Sequence, residues 1–139
     1  MNSLDQKTID ELHQVALNAL SHSYSPYSKC QVGSAVLGES GRIYPGTNVE
    51  NSSYGITDCA ERAAVIHAIT AGERKLTAVL VVSKDGWPPC GSCRQVLAEF
   101  AAPTTPVLIS NKKEIVSTKT LGDLLPLAYT PDHVFRAQK

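Results

Sequence analysis

The stretch LTAVLVVSKDGWPPCGSCRQVLAEFAAPTTPVLIS, residues 76–110, decides the class of fold. Its first eight residues are apolar or β-branched almost without a break, the mark of a strand covered on both faces. KDGWPP is turn chemistry, a helix is expected over about residues 90–100, and TPVLIS returns to extended backbone. Within one sheet, a strand–helix–strand connection of this kind crosses over right-handed. The unit places the chain in the α/β class.

Upstream, residues 4–20 carry Ile9, Leu12, Ala16, Ala19 and Leu20 at helical spacing, and SHSYSPYSK then breaks the helix. CQVGSAVL and RIYPGTNVE read as two strands joined by GESG, a hairpin, with Pro45 and Gly46 marking an edge or a bend in the second. The loop NSSYGITD leads to a helix over residues 59–71 that Gly72 ends. Downstream, EIVSTKT gives a fifth strand and residues 121–125 a short helix. The order predicts one domain spanning residues 1–139, a mixed five-stranded sheet flanked by helices.

Composition narrows the function. Of 139 residues, 42% are hydrophobic and 19% charged, as in a folded protein. Thirteen basic residues balance thirteen acidic ones, with no basic run of the kind that neutralises a phosphate backbone, so no nucleic-acid partner is expected. No signal peptide and no apolar run of about 20 residues is evident, so a cytoplasmic setting without a membrane partner is expected. In that reducing setting Cys30, Cys59, Cys90 and Cys93 read as ligands or core thiols rather than disulfides.

Cys90-Gly-Ser-Cys93 alone is ambiguous: a redox dithiol, half of a structural zinc site, or two incidental thiols. Its place at a helix start is informative, because free backbone N–H groups and the helix dipole stabilise a thiolate there. Cys59 opens the earlier helix in the same way. Two helix starts side by side at the strand ends would let three thiolates converge on one Zn²⁺. Structural zinc takes four protein ligands and catalytic zinc three, so an open fourth position is expected. Glu61, on the first turn after Cys59, is placed to move a proton to or from a water there.

With CAE followed by PCGSCRQVLAEF, and with YSPYSKCQVGSAVL, GTNVENSSYG and LLPLAYTP in order, the chain resembles the small, three-cysteine cytidine deaminases over residues 24–131. The resemblance implies a three-layer α-β-α sandwich and one Zn²⁺ per subunit held by Cys59, Cys90 and Cys93. Glu61 is then the catalytic proton shuttle in the hydrolytic deamination of cytidine and deoxycytidine. It further implies that Asn48 and Glu50 hold ribose hydroxyls, that Ala60 helps position the ring, and that Tyr54 completes a pocket shared within a homotetramer. Arg62 would donate to the thiolates and withdraw charge from a site that three sulfurs leave at net −1.

Two positions depart from that pattern. Cys30 stands where the family usually carries phenylalanine; a thiol there is a core filler or widens the pocket for bulkier cytidines, substituted on the exocyclic amine. Tyr129 replaces a phenylalanine that packs on the base, and keeps the ring; Phe135 is the alternative. Other functions remain in view: a deaminase of blasticidin S type, a structural zinc scaffold, and a deaminase of polynucleotides. The plainer expectations are that His67 is structural or at the surface, that Trp87 packs in its turn, and that Asp58 caps its helix. Arg94 either pairs locally or neutralises thiolates.

Overall fold

The five strands of the computed structural model, which describes residues 4–138, lie in the order β2-β1-β3-β4-β5. They are β1 (Val32–Gly38), β2 (Ile43–Thr47), β3 (Leu76–Ser83), β4 (Pro106–Ser110) and β5 (Ile115–Thr120). Only β3 and β4 pair in parallel, from Val79 opposite Val107 to Val82 opposite Ser110; β1 runs antiparallel to both β2 and β3, and β5 to β4. The helices are α1 (Gln6–Leu20), α2 (Ala60–Thr70), α3 (Gly91–Phe100), α4 (Leu121–Leu124) and α5 (Pro131–Ala137).

Alternation along the strands builds two cores. Ala35, Ala78, Leu80, Val82 and Leu108 face α1, where Leu12, Ala16 and Leu20 cover them. Val36, Tyr44, Val79 and Val107 face the other way, against Ala64, Val65 and Ala68 of α2 and Leu97 of α3. This is the mixed, doubly covered sheet expected from the sequence, with the continuous apolar run of β3 at its centre. Each fully buried leucine or valine contributes about 1.5–3 kcal/mol relative to exposure.

Two glycines set how closely helices approach. A Cβ on Gly33 would stand 2.0 Å from the Ala16 carbonyl oxygen, and one on Gly46 would stand 2.3 Å from Ala60 O and Ala64 N. α1 and α2 therefore lie directly on the hairpin backbone. Gly46 belongs to the edge strand, as read from Pro45-Gly46, but its main effect is to seat the start of α2.

Two local readings are corrected. Cys59, not Asp58, is the N-cap of α2; Asp58 instead exchanges backbone hydrogen bonds with Val49 at 3.0 Å each way. Tail residues with no predicted element form α5, with Pro131 at its first turn and a Thr130–His133 capping box. The tail is polar enough that no apolar period betrayed it.

Candidate active site

The starts of α2 and α3 meet at one edge of the sheet. Their N-caps, Cys59 and Cys90, have extended backbones (φ −78°, ψ 154° and φ −68°, ψ 169°), and neither sulfur makes a capping hydrogen bond. A serine or aspartate cap would spend its side chain on that bond; here both sulfurs are left to point elsewhere. Cys93, one turn into α3, is fully buried. The three Sγ atoms lie within 4.8 Å of one another, with Cys59 to Cys90 at 3.9 Å and Cys90 to Cys93 at 3.4 Å. Ligands at the corners of a tetrahedron with Zn–S of about 2.3 Å stand roughly 3.8 Å apart. The trio thus has the span zinc requires, and among the described residues no fourth cysteine, histidine or carboxylate joins it.

Electrostatics favour ionisation at this corner. The Cys59 thiol is pulled down to about 5, first by a hydrogen bond from Cys93 and then, against desolvation, by Arg62 and Cys90. Cys93, the donor in that pair, is pushed up. Arg62 Nη2 donates to Cys59 Sγ (3.5 Å) and to the Thr57 carbonyl (3.0 Å). Its Nε is buried without a partner, a cationic donor held beside sulfurs that become anionic on binding a metal.

Glu61 is 4% exposed. Burial, followed by the neighbouring Cys59 charge, raises its carboxyl to about 7, with Arg62 opposing. No side chain among the described residues hydrogen-bonds to it. Its carboxyl has only a bond from its own backbone N–H, and a buried acid so sparsely partnered weakens a fold, so its presence beside three thiols is explained by chemistry rather than by stability.

A cleft of about 380 Å³ opens in front of these groups, with Cys59, Ala60, Glu61 and Cys90 at its end and Cys30, Asn48 and Trp87 along its walls. Among the described residues, Asn48 is tied to the scaffold by three bonds that leave one Nδ2 hydrogen free: Oδ1 accepts from Ser23 Oγ and from Val32 N (3.0 Å), and Nδ2 donates to the Cys30 carbonyl (2.8 Å). Glu50 accepts from Tyr27 N (2.9 Å), Ser28 N (3.1 Å) and Ser28 Oγ. These bonds, Ser28 first, hold its carboxyl below the usual range. Glu50, Tyr27 and Tyr54 line a recess that shares Ser28 and Thr57 with the cleft, and the two tyrosine rings meet edge to face at 5.5 Å.

The structure therefore gathers Cys59, Cys90, Cys93, Glu61, Arg62, Ala60, Cys30 and Asn48, with Glu50 and Tyr54 in the adjoining recess. Tyr129 lies apart: it is 64% exposed, stacks on His133 at 5.6 Å and does not line its own chain's cleft. Phe135 is likewise exposed. Cys30 borders the cleft instead of filling the core. Trp87, read as turn packing, donates its backbone N–H to Ser83 Oγ (2.8 Å) and also forms cleft wall; its place just before Pro88-Pro89-Cys90 was the available signal. His67 is structural, bonded to the Pro45 carbonyl (3.2 Å) and edge-on to Tyr44. Arg94 clamps the Pro89 and Leu124 carbonyls at 2.8 Å each and does not touch the sulfurs.

Residues 6–109 match the family model described as the cytidine and deoxycytidylate deaminase zinc-binding region. Cytidine deaminase of Sporosarcina psychrophila is 42% identical over 126 residues, covering 89% of this chain and 93% of that protein. The crystal structure of cytidine deaminase from Burkholderia pseudomallei superposes with a TM-score of 0.82 at 40% identity, covering 86% of this chain and 98% of that one. For the enzyme from Mycobacterium tuberculosis the TM-score is 0.79 at 39% identity, with 91% and 98% covered.

Proposed function

This chain belongs to the cytidine and deoxycytidylate deaminase zinc-binding family, and from that premise we propose that it hydrolyses cytidine and deoxycytidine to uridine and deoxyuridine with release of ammonia. The observation that carries the reading is the buried Glu61, to which no other side chain among the described residues hydrogen-bonds, beside a three-thiol cluster with no fourth protein ligand. Cys59, Cys90 and Cys93 would hold a Zn²⁺, which would supply acidity to the attacking water.

The chain's own residues do the rest. Glu61 takes a proton from the attacking water and passes it to the ring nitrogen, then takes the remaining proton of the C4 hydroxyl and gives it to the leaving amine, so that ammonia departs as the C4 carbonyl forms. Arg62 and the N-termini of α2 and α3 offset the negative charge of three thiolates. The apolar walls exclude bulk water, which strengthens each of these interactions. Asn48 and Glu50 hold the ribose, whose hydroxyls replace donors such as Ser28 Oγ on the Glu50 carboxylate; Tyr54 closes that recess.

The enzyme acts in the cytoplasm as a single-domain subunit of a homotetramer. Supporting this, no helix among the described residues is long and apolar enough to cross a membrane, and all four cysteines are unpaired. Tyr54 (73%), Ile56 (65%), Ile66 (59%) and Tyr129 (64%) are large, apolar and exposed, as subunit contacts would be before assembly. Tyr129 then reaches the cleft of a neighbouring copy.

The test is a cytidine assay followed by ultraviolet absorbance, with ammonia, zinc content and mass by light scattering measured on the same sample. Equimolar loss of cytidine and gain of ammonia, one zinc per chain and a fourfold mass are expected. Zinc-loaded protein that releases no ammonia would establish a structural zinc module instead.

A further inference from the structure

The cleft has a second neighbour. A pocket of about 150 Å³ shares Cys30 and Trp87 with it and is lined further by Lys29, Lys84, Asp85 and Lys112. We propose that this pocket binds an anionic group carried on the exocyclic nitrogen of a cytosine nucleoside, so that the enzyme prefers acidic amine-substituted cytidines to neutral ones of equal size. The inference rests on the function proposed above.

Sheet topology brings the three lysines together. β3 and β4 run parallel, with Val82 opposite Ser110, so their carboxyl ends release Lys84 and Lys112 side by side. β1 begins at the same edge, with Val32 opposite Ser83, and delivers Lys29 there. Ligands of open α/β sheets bind at this carboxyl edge.

Each lysine sits on a turn pinned by a hydrogen bond between side chain and backbone. Glu50 fastens Tyr27 and Ser28 ahead of Lys29, which takes the left-handed φ of 64°. Ser83 Oγ accepts from Trp87 N across the turn of Lys84. Asn111 Oδ1 accepts from Lys113 N (2.8 Å) and Glu114 N (2.9 Å) around Lys112.

Charge is unbalanced in the pocket: three lysines and one carboxylate, Asp85, line it, with Lys29 also acting on the nearby Glu50. The one ion pair among the described residues, Lys75–Glu39, involves none of them. An anion entering would meet Lys84 and Lys112, which are in no ion pair among the described residues, in a pocket that Trp87 also lines.

Direction follows from what borders the cleft. The reacting carbon faces Cys59, Cys90 and Glu61, and the ribose occupies the recess of Glu50 and Tyr54. The cleft and the lysine pocket share Trp87 and the small thiol of Cys30, so a substituent on the amine that passes these two residues would enter the lysine pocket. For an N4-acylcytidine, water adds its oxygen to C4, the C4–N bond breaks, and the nitrogen gains a proton and leaves as the primary amide. The products are uridine and the amide, with no other reactant needed.

The experiment compares kcat/KM for N4-succinylcytidine, its neutral pentanoyl counterpart, cytidine and cytidine 5′-monophosphate, in wild type and in the double variant Lys84→Glu/Lys112→Glu. The succinyl compound is expected to exceed the pentanoyl one by roughly three- to tenfold, the scale of two partly solvated ion pairs. That preference should shrink in about 1 M salt, where the screening length falls to about 3 Å. The double variant should abolish or reverse it while leaving cytidine turnover unchanged. Equal rates for the two acyl compounds, or a preference that survives the double variant, would overturn the inference while normal cytidine turnover keeps the deaminase reading intact. Selective loss of the 5′-monophosphate would also overturn it, by assigning the lysines to the sugar side. Zinc-loaded wild type inert toward cytidine would remove both.

Discussion

The metal corner and the loop facing it across the cleft treat their polar atoms in opposite ways. At the corner the fold withholds partners: two cysteine N-caps make no capping bond, Glu61 has no hydrogen-bonding side chain, and Arg62 Nε is buried alone. Across the cleft nearly every polar atom is spoken for. Asn48 joins three segments, and Glu50 accepts three bonds from one turn. On the function proposed above, the groups assigned to chemistry are left free at a cost in stability, whereas those assigned to recognition are held in shape by the scaffold.

Substitutions can break that contrast. Glu61→Gln, which preserves shape, is expected to lower kcat by about 10²–10⁴-fold, the range of a lost proton carrier. Its zinc content and melting temperature should match or exceed wild type, since a buried acid is removed. Substantial turnover, or loss of zinc, would show that Glu61 belongs with the scaffold.

Arg62→Ala tests the corner's surroundings. An outer partner of metal ligands is worth roughly 10–100-fold in metal affinity or activity. Zinc affinity from competition with a chelator, or kcat, should fall on that scale while circular dichroism is retained. Unchanged affinity and rate would leave Arg62 as a helix-start clamp on the Thr57 carbonyl.

Asn48→Ala probes the opposite wall and should act on stability first. It strands Val32 N and the Cys30 carbonyl, and leaving one such buried group unsatisfied costs about 1–3 kcal/mol. A lower denaturant midpoint with full zinc content is the expected outcome, with KM raised more than kcat is lowered. Full stability would contradict the division between the two walls.

Legibility in the sequence follows the same division. β3 could be read because a strand covered on both faces has no polar side to interrupt it. The cysteine trio could be read because thiols opening two helices have few other uses, and Glu61 followed by position. What escaped depends on separations no local pattern encodes. Gly46 reads as an edge-strand break, yet it lets α2 approach within contact of the hairpin backbone. Asp58 reads as a cap, yet it pairs with Val49, and Cys59 takes the cap position. Trp87 reads as turn filler because its side chain meets the cleft only after β3 and α3 are in place. α5 was hidden by an exposed helix with no buried face to impose a period.

X-ray absorption at the zinc edge of the protein as isolated tests the central claim most directly. Three sulfurs at about 2.3 Å and one lighter scatterer at about 2.0–2.1 Å are expected, the signature of a three-thiolate site open to water. Four sulfurs, with Cys30 drawn in as the last, would describe a closed structural centre and contradict the account.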